Sequence, residues 1–159
     1  MTVALTRSPL LLEDWQPPEP DPTCGAVLTF YGVVRNHHEG KAVDRIDYHG
    51  YEPMAHLELE RIRDEVLEDS GIKGLVIVHR LGVVPVGEAS LLVVAWDHHR
   101  APVLSAVGRV IDEIKRRVPI WKKEYGPDGS KWVTGITPLL PEKGHDSHPG
   151  QADRPMESL

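Results

Sequence analysis

Apolar residues recur every three or four positions in two long segments of the chain, and this spacing predicts two helices. The first is expected from Pro53 to about Ser70, because proline suits a first helical turn and Gly71 suits the end. The second is expected to start near Pro102 and to end at Val118, where a second proline follows. The two apolar faces are formed by Ala55, Leu59, Ile62 and Val66, and by Val103, Val107, Val110 and Ile114.

Short runs of β-branched and aromatic residues around these segments are typical of strands. The runs are 25–34, 43–51, 73–82 and 89–96, followed by a hairpin over 120–133 with the turn "GPDG". The stretches "RNHHEGKA" and "VVPVGE" are interpreted as connections. The order β-β-α-β-β-α-β-β predicts an α+β fold with two main helices and a largely antiparallel sheet.

The chain divides into three parts on this pattern. Residues 1–24 form a Pro-rich segment that is expected to be partly ordered, with at most a short strand and one helical turn. Residues 25–136 form the predicted folded domain. Residues 137–159 are polar and interrupted by proline, so they are predicted to be a disordered tail.

The composition excludes several classes of protein. With 159 residues and 40% apolar content, the chain is long enough for one ordinary globular domain. It has no run of about eighteen apolar residues and no signal peptide, which predicts a cytoplasmic protein without a membrane segment. Its single cysteine, Cys24, forms no internal disulfide, in agreement with a reducing compartment.

The net charge of −6 argues against a nucleic-acid binder, but the charge is unevenly distributed. Between Arg100 and Lys131 there are eight Lys and Arg residues against four Asp and Glu residues. A local positive field in an acidic protein is better suited to a small anion than to a polyanion.

The basic residues of the second helix fall on different faces. Arg116 follows Asp112 by four positions and Arg117 follows Glu113 by four, which is the spacing of surface ion pairs. Lys115 instead continues a largely apolar row, so its stem is expected to lie against the core. The row is Leu104, Gly108 and Ile111.

In the strand that follows, Lys122 and Lys123 must point to opposite faces. Only one of them can share a pocket with Lys115, and the spacing alone leaves both choices open. Spacing also leaves open whether Lys115 is simply a surface lysine at the edge of the sheet.

Polar residues also cluster where predicted strands end. The first loop contains Arg35, His37, His38 and Lys41, and a second cluster contains His98, His99 and Arg100. Adjacent histidines in a strand diverge, and no cysteine or spaced carboxylate completes a tetrahedral site, so no metal site is predicted. Arg100 lies at a predicted helix N-terminus, which favours an anion. His79 and Arg80, inside a strand, fit a buried structural pair as well as a functional one.

Several motifs together resemble the large, catalytic subunit of molybdopterin synthase. They are "GAVLTFYGVVRNHHEGKAV", "YEPMA", "VIVHRLGVVPVGE", "HHRAPV" and "IKRRVPIWKKEYGPDGSKWV", in that order between Gly25 and Val133. The resemblance implies an α/β hammerhead-like fold with an additional antiparallel β subdomain. It implies no metal and no cofactor.

The activity implied by the resemblance is sulfur transfer in molybdenum-cofactor biosynthesis. Sulfur would come from the C-terminal Gly-Gly thiocarboxylate of a small ubiquitin-like subunit and pass to cyclic pyranopterin monophosphate, which forms the dithiolene of molybdopterin. Such an enzyme needs no catalytic cysteine. The implied assembly is a homodimer within a heterotetramer.

The family's two active-site lysines correspond to Lys115 and Lys122, its loop arginine to Arg35, and its "HR" pair to His99 and Arg100. The resemblance implies a pocket near the dimer interface, so these residues can come from different subunits. Two departures are Pro102, where the family usually has a small residue, and the absence of a further basic residue after "WV". Two other hypotheses are a phosphoesterase acting on a small phosphorylated metabolite, and a non-catalytic subunit that binds the ubiquitin-like partner.

Overall fold

The structure, a computed structural model, describes residues 2–15 and 21–133. Within these residues there are two α-helices and ten strands, together with a short 3₁₀ turn at Leu12–Asp14. The helices are α1 (Glu52–Ser70) and α2 (Arg100–Arg117). The strands are β1 (Val3–Thr6), β2 (Ala26–Val33), β3 (His37–His38), β4 (Lys41–Ala42), β5 (Arg45–Gly50), β6 (Gly74–Arg80), β7 (Gly82–Pro85), β8 (Ala89–Asp97), β9 (Ile120–Gly126) and β10 (Gly129–Val133).

Both helices lie where their apolar spacing predicts them. All eight residues of the two predicted apolar faces are buried. Gly71 ends α1 in the left-handed conformation, with φ of 65°, which a glycine adopts at little cost. Val118 adopts an extended conformation and ends α2 directly before Pro119.

The first sheet has the order β1-β6-β8-β2 and carries the main core on one face. Its strands pair antiparallel except for β1, which pairs parallel with β6. The two helices pack against this face, and the shared core includes Leu59, Ile77 and Val110. The other face is partly covered by the segment around Leu10.

The second sheet has the order β10-β9-β5-β7 and is entirely antiparallel. One face buries Ile46 and Val84 against Val34 and Val43 in a smaller core. Its strand β9 starts at Ile120, so only two residues separate this strand from the end of α2. The α+β class with two main helices is therefore confirmed.

Three strand pairings differ from the sequence prediction. Part of "VVPVGE" forms β7 at the edge of the second sheet, and part of "RNHHEGKA" forms the two-residue ladder β3–β4. The N-terminal strand β1 joins the main sheet through a partner more than seventy positions away. No helix in residues 2–15 and 21–133 is long and apolar enough to cross a membrane. The predicted disordered tail, 137–159, lies outside the described residues.

Candidate active site

Lys122 lies in the middle of the second sheet, on the face that covers the smaller core. Its neighbours across the strands are Tyr48 on β5 and Val133 on β10. Lys123 points to the opposite face, where its ammonium lies 5.4 Å from the ring centres of both Tyr125 and Trp132. The alternation predicted for the two lysines is confirmed, and Lys122 is half-buried at its position.

Lys115 lies in the last turn of α2, seven residues before Lys122 in the sequence. The prediction that its stem packs against the core is wrong. Of the same row, Leu104 and Gly108 are exposed and only Ile111 packs against the main core, and Lys115 is exposed as well. The buried row of α2 is the one through Val110, which leaves the Lys115 ammonium available to a ligand.

Arg35 follows β2 in a loop whose backbone is held on both sides. The Val34 amide donates a hydrogen bond of 3.0 Å to the Glu88 carbonyl, and the Val43 amide donates one of 2.9 Å to the Asn36 carbonyl. The side chain of Arg35 is exposed. These hydrogen bonds fix the backbone position from which the Arg35 side chain extends.

Three of the predicted site cations lie at one end of the molecule, which we call the lysine end and define by Arg35, Lys115 and Lys122. The strand β2 pairs with β8 so that Val33 lies opposite Ala89, which places Arg35 near the start of β8. The helix α2 starts where β8 ends and packs back along β8 and β2. Its C-terminal turn and the adjoining strand β9 thus return to the start of β8.

The other two predicted residues lie at the opposite end. His99 precedes α2 as its N-cap, and Arg100 is its first residue. At 1.5 Å per residue, the fifteen positions from Arg100 to Lys115 span about 22 Å along the helix. Within one chain, the structure therefore brings His99 and Arg100 together, but not with the lysines.

The predicted site cations share an electrostatic property. None of Arg35, Arg100, Lys115 and Lys122 forms an ion pair with a residue in the described part of the chain. Lys131, by contrast, pairs with Glu39 at 3.1 Å. A cation without a carboxylate partner retains its full charge for an anionic ligand.

The predicted pairing of the arginines in α2 needs correction. Arg116 pairs with Glu113 at 2.5 Å, and not with Asp112. Arg117 does contact Glu113 at 3.3 Å, but it also reaches Glu58 and Glu65 on α1, at 3.1 and 2.5 Å. Only 21% of the Arg117 side chain is exposed, so it joins two helices and is not a surface residue.

The groups next to Lys122 are mostly neutral. The pKa of His79 is lowered to about 4, chiefly by burial; a hydrogen bond with the Arg80 carbonyl opposes this shift, and the nearby Lys122 charge adds a smaller lowering. Burial also raises the pKa of Tyr48. The carboxylate of Glu124, two residues after Lys122, lies 3.0 Å from His38 Nδ1.

Sequence analysis did not single out Tyr48 as part of this site, and it left the role of His79 open. The strand period does place Glu124 on the face of Lys122. The position of Tyr48 depends on the register between β5 and β9, which no local pattern reveals. Neither Lys115 nor Lys122 lines the three cavities of about 100, 360 and 460 Å³ on the described residues, although Glu124, Tyr48 and Val33 each line one of them.

Comparison with known proteins gives consistent matches. The family model described as MoaE protein matches residues 5–117. The molybdopterin synthase catalytic subunit of Dictyostelium discoideum is 44% identical over 131 residues, which cover 81% of this chain and 83% of the relative. Some relatives are longer, and the match covers 59% of the human protein of the same name, at 43% identity.

Solved structures agree with these matches. The X-ray crystal structure of molybdopterin synthase from Staphylococcus aureus has a TM-score of 0.77 and 34% identity, covering 82% of this chain and 95% of that one. A complex of subunits 1 and 2 of molybdopterin-converting factor from Helicobacter pylori has a TM-score of 0.70. It is 23% identical and covers 89% of this chain and 97% of that one, which supports the fold alone. On the family model and the relatives of more than 40% identity, this chain belongs to the MoaE protein family.

Proposed function

We propose that this chain is the catalytic subunit of a molybdopterin synthase, a sulfurtransferase of molybdenum-cofactor biosynthesis. The observation that carries the proposal, beside family membership, is the set of cations without carboxylate partners at the lysine end. The proposed substrates are inferred from family membership. They are cyclic pyranopterin monophosphate and the C-terminal thiocarboxylate of a small subunit. Both are anions, which the cations at the lysine end are suited to bind.

The chemistry requires little from the protein beyond positioning and charge. A thiocarboxylate is already an anionic nucleophile, so no thiol or activated water is needed to generate it. Two anions must instead be held together while the thiocarboxylate sulfur bonds to a substrate carbon and one ester bond of the cyclic phosphate breaks, which places negative charge on the released phosphate oxygen. Water then hydrolyses the thioester that links the small subunit to the transferred sulfur, so the sulfur stays on the substrate and the small subunit ends in a carboxylate. In this proposal Arg35 binds the phosphate, and Lys115 and Lys122 stabilise the developing charge or donate a proton.

The proposed site includes His99 and Arg100 from a second copy of the chain. Neither residue forms an ion pair in the described part of the chain, yet they lie about 22 Å from Lys115 along α2. An interface is supported by the edge strand β2, which exposes Val27 and Val33 by 60% and 50%. We therefore propose a homodimer, with one small subunit at each lysine end. The cytoplasmic location stays a prediction.

Reconstitution tests this function directly. The purified chain is mixed with a thiocarboxylated small subunit and cyclic pyranopterin monophosphate, and formation of the dithiolene product is followed. The matched control is the same small subunit with an ordinary C-terminal carboxylate, which should give no product. Absence of product with the thiocarboxylate, when a MoaE protein of known activity succeeds, would refute the proposal. Release of inorganic phosphate without a small subunit would favour a phosphoesterase.

A further inference from the structure

Tyr48 is the direct neighbour of Lys122 across the pair β5–β9. The two residues are opposite each other in the antiparallel register, so their side chains leave the same face of the sheet. Opposite residues have Cβ atoms about 5 Å apart, close enough for a tyrosine ring to lie along the aliphatic stem of a lysine. The other neighbour of Tyr48, Gly82 on β7, has no side chain to compete for this space.

The ring of Tyr48 is itself held in a fixed orientation. It meets the ring of His79 edge to face, with centres 5.4 Å apart and an angle of 69° between the planes. His79 Nδ1 lies 2.9 Å from the Arg80 carbonyl oxygen. Because a carbonyl only accepts, Nδ1 carries the proton, and this bond fixes the imidazole in turn. Tyr48 also packs against the smaller core.

Lys122 forms no ion pair with a charged group in the described part of the chain. Glu124, on the same strand face, is engaged by His38 at 3.0 Å. His79 and Tyr48 are both neutral near pH 7, since burial lowers the pKa of the first and raises that of the second. No ion pair with a described residue therefore holds the Lys122 side chain, and its direct cross-strand neighbours are Tyr48 and Val133.

We propose that Tyr48 is a positioning residue for Lys122: its ring, held edge-on by His79, directs the lysine ammonium to the lysine end. The inference rests on the proposed function, because it acts through Lys122. The role is assigned to the planar ring; the hydroxyl group interacts with Ser90, and Tyr48→Phe tests whether that hydrogen bond contributes. A displacement of a reacting group by about 1 Å can lower a rate by about a hundredfold.

The test compares Tyr48→Leu with Tyr48→Phe in the reconstituted assay. Leucine fills much of the volume but lacks a flat ring, so we expect turnover to fall by tenfold to about a hundredfold. Phenylalanine keeps the ring, so turnover should stay within about twofold of the unmodified chain. Tyr125→Leu is the matched control, because it changes a tyrosine on the opposite face of β9. Thermal melts establish that each variant is folded, and Tyr48→Met replaces Tyr48→Leu if the latter is not.

A double-mutant cycle separates positioning from a structural role. If Tyr48 acts through Lys122, Tyr48→Leu should cause almost no further loss in a chain that already carries Lys122→Ala. The proposal would be overturned if the activity losses of Tyr48→Leu and Lys122→Ala multiply in the double variant, or if Tyr48→Leu alone is fully active. Either result would leave the role of Lys122 intact. Full activity of Lys122→Ala alone would overturn the lysine assignment itself. The two failures are therefore distinguishable.

Discussion

At the scale of residues, the basic side chains of 111–132 differ by whether a carboxylate already neutralises them. Arg116 and Lys131 each have one such partner, and Arg117 has three. Lys115 and Lys122 have none among the described residues, although Glu124 is only two positions from Lys122. Glu124 contacts His38 and not Lys122, so the Lys122 ammonium keeps its hydrogen-bond donors for an anion. Lys123 also lacks a carboxylate partner, but its ammonium lies over the rings of Tyr125 and Trp132 on the opposite face of the sheet. Ion pairing and strand face together therefore distinguish the proposed catalytic lysines from the other cations of this segment.

This difference predicts the outcome of single substitutions. Lys115→Ala and Lys122→Ala should each lower turnover by about a hundredfold or more, the scale for losing one charge-stabilising or proton-donating group. Arg116→Ala is the matched control, because Arg116 is 69% exposed and pairs only with Glu113. It should leave turnover almost unchanged and lower the free energy of unfolding by at most about 0.5 kcal/mol. An Arg116→Ala variant as inactive as Lys115→Ala would contradict this division.

At the scale of elements, Arg117 links the end of α2 to α1. Its guanidinium contacts Glu58, Glu65 and Glu113, and it holds the turn that leads from Lys115 into β9. These contacts hold the pKa of Glu65 and Glu113 below the ordinary value, with Arg116 the larger influence on Glu113. The charged network therefore joins the two helices beside the proposed site.

Arg117→Ala should therefore lower the free energy of unfolding by about 1 to 2 kcal/mol, between the values for exposed and buried ion pairs. A carboxyl group with a lowered pKa stabilises the fold above its unfolded pKa, and this contribution is lost as the pH falls through the folded pKa. The difference from the unmodified chain should therefore be complete at pH 7 and shrink below about pH 4. Urea titrations at both pH values measure it, and Arg116→Ala should show almost no difference at either. An equal difference at both pH values would contradict the role of the carboxylates.

The same element shows how far sequence reasoning extends. Local spacing predicts α2, its end before Pro119 and the contact from Glu113 to Arg117, because each depends on residues within one or two turns. It does not predict the contacts of Arg117 with Glu58 and Glu65, which lie 59 and 52 positions away. The strand β1 was missed as part of the main sheet for the same reason. Spacing alone also left the choice between Lys122 and Lys123 open, and the family resemblance decided it.

At the scale of the whole molecule, the two ends of α2 present cations that one chain does not bring together. The helix keeps Arg100 about 22 Å from Lys115, and α2 packs along the sheet over its length, so bending cannot close the gap. In a homodimer, a two-fold axis can place the His99 and Arg100 of one chain beside the lysine end of the other. Each dimer then contains two equivalent sites, and each site uses both chains.

Mixing two inactive variants tests this arrangement. Lys122→Ala and Arg100→Ala are each expected to be poorly active alone. Suppose that each site takes Lys122 from one chain and Arg100 from the other. In a mixed dimer both substitutions then fall in the same site, and the other site is intact. Equal amounts, unfolded and refolded together, should therefore recover about a quarter of the activity of the unmodified chain, since about half of the dimers are mixed. A chain carrying both substitutions, mixed with Lys122→Ala, is the control and should recover nothing. If the first mixture stays as inactive as its parts while sedimentation shows that dimers form, Arg100 and Lys122 do not serve one site across the interface.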